Sequence, residues 1–296
     1  MAQRPVTEQT NWGLWGPEDE RGALNRMTPA ATLRGIASVR TGEILSLAVP
    51  LKAGKGPISA GRQPLQHFMV RDGGDYAAGL KEPGFGFSDD YIVMATHGTT
   101  HIDALAHIFR DRQMWNGFSA DTVTSRGARR CGIDKTGPIV TRAIFVDFGP
   151  PHGPSLAEDY AISPEELAAA VKRGGVTPEP GDALLVRTGW YKRWRDGEAT
   201  PSQWAGLHPD CAQWIDEQGF ALVAADNIAV EQGPSTDPKE GAPLHVALLR
   251  NRGVHLAELL NLEALAETGR SSFLLMIAPL PIEGGVGSPI NPVAVL

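Results

Sequence analysis

The sequence predicts a single α/β-type domain, and three observations carry that expectation. Short apolar runs and punctuated helices are mixed along the whole chain. The 34 Gly and 23 Pro are dispersed, as in many short elements joined by turns, and are not gathered into a linker. A chain of 296 residues can bury one substantial core without staples.

Taken in order, Met1 to Asn25 holds Pro, Trp, Gly and acidic residues with no basic patch leading into an apolar run, so no signal peptide is expected. Lys52 to Gly86 is rich in Gly and Pro, weakly periodic, and reads as a loop covering a pocket. Buried strands are expected at Tyr91–Ala95, Ala143–Phe148, Ala183–Arg187, Ala221–Ala225 and Ser272–Ala278. Ser163, Pro164 and Glu166 have the form of an N-cap, a first-turn proline and a capping-box acid. The helix they open runs with Leu167 and Val171 on one face and stops at Gly174. A second helix is expected from about Pro209 to Gln218, with Trp214 on its inner side, and a third from Pro243 to about Asn251 before Gly253. Phe273–Leu280 is too short to span a bilayer, and the protein is placed in the cytoplasm.

A formal charge of −7, without long basic runs, argues against nucleic acid as a partner, because phosphate binding needs a concentrated positive field. Cys131 and Cys211 are too few for a disulfide framework and read as small buried residues. Gly284-Gly285-Val286-Gly287-Ser288 lacks the strand, helix and lysine of a phosphate loop and reads as a turn. Ser59, Ser88 and Ser125 have no nucleophile-elbow context, and His152 and His208 read as surface residues.

The chemistry is concentrated in Thr96-His97-Gly98-Thr99-Thr100-His101-Ile102-Asp103-Ala104-Leu105-Ala106-His107. Three of the eight histidines and one acid fall here, and imidazole and carboxylate are the donors that Zn²⁺, Mn²⁺ and Fe²⁺ accept. On a helix only His97 and His101 would share a face. On a strand all four would, but a fully extended run from 97 to 107 spans about 33 Å, beyond the reach of one ion. The segment must curl if these side chains meet, and Gly98-Thr99-Thr100 is a reasonable place for the bend. A lone histidine is more often a hydrogen-bonded core or surface residue. Four donors at H-x₃-H-x-D-x₃-H spacing after an apolar strand point to a metal site.

This segment resembles the signature of the cyclase family of hydrolases, which includes kynurenine formamidases, isatin hydrolases and trans-dienelactone hydrolases. That signature reads approximately H-x-G-T-H-x-D-x-P-x-H. His97, Thr100, His101, Asp103 and His107 match; Thr99 replaces the usual glycine and Leu105 the common proline, and neither change removes a ligand. The resemblance covers most of the chain from about Thr41, through Gly181–Trp190, Asp226-Asn227 and the segment His245 to Glu258. Asn11-Trp12-Gly13-Leu14-Trp15-Gly16 is similar to the N-terminal extension of longer members. The resulting division is an extension over 1–40 and a hydrolase domain over 41–296.

The resemblance implies a domain with a central, mainly antiparallel, barrel-like sheet flanked by helices (a swivelling β/β/α arrangement), in a homodimer or homotetramer. It implies one or two divalent ions, Zn or Mn. His97, His101 and Asp103 would hold the first ion, and His245 and Glu258 would complete a second, with Asp103 or Glu258 bridging. His107 would be the proton carrier, suited by an imidazole pKa near neutrality. His255 with Glu258, at helical i, i+3 spacing, is a rival to His245. Trp12 and Trp15 are the preferred substrate-facing aromatics, ahead of Phe68, Phe85, Phe87 and Trp190. The reaction implied is hydrolysis of a small cyclic or aryl amide, lactam or lactone. Two alternatives stand beside it: a non-haem Fe(II) oxygenase using His101, Asp103 and His245 as a facial triad, and a catalytically inactive metal-binding relative.

Overall fold

Every residue of Ala183–Arg187 is buried, as is every residue of the neighbouring strand Leu222–Ala225. Continuous apolar runs of this kind suit the middle of a parallel sheet covered on both faces. The structure is a computed structural model and describes residues 8–55, 61–82, 84–149, 156–235 and 241–296. Among these, one large sheet contains β1 (Ile44–Ser46), β2 (His101–Asp103), β3 (Ile139–Asp147), β4 (Ala183–Arg187), β5 (Leu222–Ala225), β6 (His255–Glu258), β7 (Ser272–Ile277), β8 (Gly287–Pro289) and β9 (Val293–Val295). Their spatial order is β1-β9-β7-β3-β4-β5-β6-β2-β8. The pairs within β3-β4-β5-β6 run parallel and the five others antiparallel. The sheet curls as a half-barrel with helices against it, the mainly antiparallel α/β architecture that the resemblance implies.

Helix Pro164–Arg173 starts as expected, with both bonds of the Ser163–Glu166 capping box present, and Leu167 and Val171 are buried. Helix Cys211–Glu217 lies within the expected limits, and Trp214 packs partly buried against the core. Helix Pro29–Ala37 lies close on β3, where a Cβ on Gly35 would stand 2.6 Å from the Thr141 carbonyl carbon. An ion-pair cluster ties this helix to the start of β4. The fully buried Asp182 carboxylate meets Arg34 Nη2 at 3.1 Å and Arg142 Nη2 at 2.7 Å, and accepts the Glu179 N–H at 2.9 Å.

Four expectations need correction. Asp89–Val93 is a strand, but it pairs with Gln66–Arg71 in a separate two-stranded ribbon, and every residue of it is exposed. Its aromatic and β-branched residues gave the signal of a buried strand, and periodicity cannot say which surface covers such residues. One strand of that ribbon, Gln66–Arg71, and the short helix Gly74–Ala77 lie within the span read as loop. The helix after Pro243 is not uniformly α: Val246–Arg250 widens into a π turn. Finally, His255 and Glu258 lie on a strand, so their odd spacing directs them to opposite faces and removes the helical pairing. Ser59 and His152 lie outside the described residues, and among the described residues no helix is long and apolar enough to cross a membrane.

Residues 8–40 contribute to the core rather than lying over it. Ala23 and Leu24 are fully buried. Both cysteines are buried and unpaired.

Candidate metal centre

The motif curls as its spacing requires. Residues 96–100 form a bend, β2 follows for three residues, and the chain turns again at 105–107. β2 is held between β6 and β8, with His101 opposite Glu258 and Asp103 opposite Gly287. His101 and Asp103, two residues apart, therefore face the same side. The Thr100 side chain fixes the bend, donating to the Leu259 carbonyl at 2.5 Å and accepting the Val49 N–H at 2.8 Å.

The result is a compact group of imidazoles and carboxylates. Asp103 Oδ1 lies 3.3 Å from His97 Nε2 and 3.4 Å from His101 Nε2. Glu258 approaches His101 Nε2 at 3.3 Å through Oε2 and His245 Nε2 at 3.0 Å through Oε1. His245 Nε2 is 3.7 Å from Asp103 Oδ2. The His107 ring stacks on His97 with centroids 4.1 Å apart. All of the motif's donors, with His245 and Glu258, are thus brought together.

Several of these atoms make no hydrogen bond among the described residues although they are buried: His97 Nε2, His101 Nε2, both Asp103 oxygens and Glu258 Oε1. Buried polar groups are ordinarily satisfied. Five unsatisfied donor atoms gathered around Asp103 fit a divalent cation, and the mix of imidazole and carboxylate is the chemistry such an ion accepts. The opposite ring nitrogens are engaged. His101 Nδ1 meets the Thr99 carbonyl at 2.7 Å and His97 Nδ1 the Thr96 hydroxyl at 3.0 Å, which leaves Nε2 to face the cluster. Two groups of three have donor atoms mutually within 4.8 Å: His97, Asp103 and His107, and His101, Asp103 and Glu258. Asp103 is common to both. This grouping by distance divides the residues differently from the partition implied by resemblance, and it gives His107 the geometry of a ligand as well as a place on the pocket wall.

Electrostatics follow from burial and charge. Burial drives His97 down to about 3, with the neighbouring imidazoles and Arg62 adding to that and Asp103 opposing it. Burial also lowers His107. For His101 burial acts downward too, but the Asp103 and Glu258 carboxylates reverse it, to about 9. Glu231 and Glu258 likewise overcome burial and raise His245. Asp103 and Glu258 lie below the usual carboxylate range because the facing imidazoles outweigh their burial.

His255 stands apart from the group, beside the Thr136 hydroxyl at 3.4 Å, and burial holds its pKa at about 3. A folded value below the unfolded 6.5 contributes stability that is complete above about pH 6.5 and is lost as pH falls toward 3. Urea unfolding of chelator-treated protein should therefore fall more steeply between pH 6 and 4 than that of His255→Asn, by about 1.4 kcal/mol per pH unit. Equal slopes would show that His255 accepts its proton in the folded state.

Above the cluster lies an open pocket of about 250 Å³, whose described lining includes Arg62, His107, Trp204, Ile228, Glu231 and His245. Trp12 and Trp15 are not among its lining residues. Trp12 donates its indole N–H to the Arg250 carbonyl at 2.8 Å and lies under that guanidinium, while Trp15 tilts against Trp115. Phe68, Phe85 and Phe87 are exposed on or beside the ribbon, and Trp190 is buried in a small separate cluster. Among its described lining residues, Trp204 supplies the indole ring.

The family model Cyclase, described as "Putative cyclase", matches residues 38–232. The chain belongs to the cyclase family. An isatin hydrolase from Roseibium aggregatum is 26% identical over 216 residues, covering 71% of this chain and 75% of its own. The crystal structure of a novel cyclase superposes with a TM-score of 0.91 at 36% identity, with 100% of both chains covered. Isatin hydrolase A from Labrenzia aggregata gives a TM-score of 0.65 at 20% identity, over 88% of this chain and 94% of its own.

Two residues of this cyclase-family site escaped the sequence reading. Gly287, read as part of a turn, lies on β8 against His97, where a Cβ would come within 2.4 Å of Nε2. Its lack of a side chain keeps room for that ring. Glu231 touches His245 Nδ1 and is 3% exposed. No spacing rule links residues 14 apart across a turn, so only a buried acid five residues beyond Asp226 could have drawn attention.

Proposed function

We propose that this cyclase-family chain is a metal-dependent hydrolase that opens a carbonyl C–N or C–O bond in a small cyclic or aryl amide, lactam or lactone. The observation that carries the reading is the convergence of unsatisfied, buried imidazole and carboxylate atoms at the floor of a pocket. The isatin hydrolase relative supports the reaction class. A bound Zn²⁺ or Mn²⁺ polarises a carbonyl and acidifies water at neutral pH.

The chain's own residues do the rest. Asp103, shared by both groups, balances the charge of one or two cations and fixes where they sit. Trp204, Ile108 and Ile228 give the pocket an apolar wall for a flat ring, and Arg62 and Gln232 offer donors at its rim. His107 opens onto the pocket and, with its pKa lowered by burial, is a neutral base at pH 7 that takes a proton and returns it to the leaving atom.

His107→Ala should retain metal and lose turnover by roughly 10²–10⁴-fold, the usual weight of a proton carrier. Metal counted per chain after gel filtration checks this, and loss of metal would make His107 a ligand instead. The reaction itself is tested with N-formylkynurenine, isatin, a dienelactone and simple aryl amides, each with Zn²⁺, Mn²⁺ or chelator. Turnover abolished by chelator and restored by metal supports the proposal. Fe(II)-dependent oxygen uptake would favour the oxygenase, and metal binding with no turnover the inactive relative. The cluster already has more donors than a facial triad uses.

The exposed apolar ribbon, including Phe68, Val70, Tyr91 and Val93, is the face we assign to contact between copies in a homo-oligomer. Light scattering should then give a dimer or tetramer. The buried, unpaired cysteines suit a reducing compartment such as the cytoplasm.

A further inference from the structure

We infer that Glu231 is the positioning residue for His245, and that Asn227 holds Glu231 in place through a left-handed turn at Val230. The inference rests on the metal reading above and concerns residues that the ligand motif does not contain.

Three donors converge on the Glu231 carboxylate. Oε2 accepts the Leu244 N–H at 2.9 Å, and Oε1 accepts the His245 N–H at 3.1 Å and meets His245 Nδ1. The backbone bonds anchor the carboxylate to the start of the Pro243 helix, so the contact with the ring fixes the ring's rotation as well as its tautomer. With Nδ1–H committed to Glu231, Nε2 presents its lone pair toward Glu258 Oε1 and Asp103 Oδ2. A ring flipped about its Cβ–Cγ bond would turn carbon toward the cation.

The chain reaches Glu231 by an unfavourable route. Val230 has φ +57°, a left-handed conformation in which a β-branched residue is strained. Asn227 offsets that strain. It is fully buried; its Oδ1 accepts the Val230 N–H at 2.7 Å, and its Nδ2 donates to the Ala205 carbonyl at 2.6 Å. Its backbone carbonyl accepts the Leu259 N–H at 2.9 Å, immediately after Glu258. One residue thus ties the turn that delivers Glu231 to the strand end that delivers Glu258. Glu258 ends β6 and Asn227 follows β5, so both act at the carboxyl ends of the parallel strands, where ligands of open α/β sheets gather.

The test compares Zn²⁺ affinity by calorimetry in wild type, Glu231→Ala, Glu231→Gln, Asn227→Ala and Asp182→Ala. The last is a destabilised control at the opposite end of the parallel strands. Glu231→Ala should weaken Zn²⁺ binding by about 10–100-fold. Glu231→Gln should weaken it less, because an amide oxygen still accepts from Nδ1–H, and Asn227→Ala should move in the same direction as Glu231→Ala. Asp182→Ala should melt earlier with affinity unchanged. In ¹H–¹⁵N spectra of the zinc-loaded wild type, the His245 Nδ1–H held by Glu231 should resonate well downfield and exchange slowly, and that signature should be lost in Glu231→Ala. If Glu231→Ala fails to fold, Glu231→Gln and Asn227→Ala carry the test. Wild-type affinity with an unchanged His245 signature in Glu231→Ala, or wild-type affinity in both Glu231→Gln and Asn227→Ala where Glu231→Ala does not fold, would overturn the inference alone. A wild-type protein that binds no Zn²⁺ or Mn²⁺ would overturn the metal reading with it.

Discussion

Asp103→Asn should lower turnover by at least about 10³-fold, roughly 4 kcal/mol of transition-state stabilisation, and should abolish the rise in Tm that Zn²⁺ gives the wild type. The side chain is 0% exposed, both of its oxygens are unsatisfied, and it belongs to both groups of donors. Replacing it by an amide of the same shape removes the one charge that every arrangement of the cations shares. A ligand that binds only the folded state stabilises by about 4 kcal/mol at a thousand times its Kd. Calorimetric scans with and without Zn²⁺ at pH 8 therefore separate the effects. The increment is read against each protein's own metal-free Tm, which the variant lowers because His101, raised to about 9 by Asp103 and Glu258, loses one of its carboxylate partners, and the metal-dependent increment disappears. A variant that gains as much from Zn²⁺ as the wild type does would show that Asp103 is not the shared ligand.

The largest effect on folding is expected at Asp182. Asp182→Ala leaves Arg34 and Arg142, only 19% and 14% exposed, with the half-exposed Glu179 carboxylate at 3.6 and 3.3 Å as their remaining common partner in place of the buried one. Removing one partner of a buried ionic group costs about 3–5 kcal/mol, since the charges left behind cannot be fully rehydrated. For a chain of this size that is a fall in Tm of roughly 10 °C. The Glu179 N–H also loses its acceptor. Because Asp182 and Glu258 lie at opposite ends of the parallel strands, kcat at a temperature well below the transition should stay within about twofold of wild type. A fall in kcat without a fall in Tm would place this cluster in the catalytic machinery.

The parts of the protein legible in sequence are those in which neighbours along the chain are neighbours in space. The Ser163–Glu166 capping box was readable because its two bonds close within one turn. Ala183–Arg187 was readable because a strand covered on both faces needs only an unbroken apolar run. The curl of residues 97–107 followed from length, since an extended chain would hold His97 and His107 too far apart to meet. The ribbon was misread for the converse reason: its composition demands a cover, and composition does not say whether that cover is the same molecule.

The site divides along the same line. Spacing along one short segment makes His97, His101, Asp103 and His107 candidate donors and requires a bend between them, because it limits what their side chains can reach. What surrounds them comes from packing between distant segments. That packing placed Glu258 beside His101 through strand register, put His255 on the opposite face, set Gly287 under the His97 ring and brought Glu231 to His245. Those relations are made by sheet order, which joins segments more than a hundred residues apart as His101 and Glu258 are, and by a strained turn held through Asn227, whose partners come from separate segments of the chain. Local propensity carries no record of such contacts, because burial and register are settled by the packed whole.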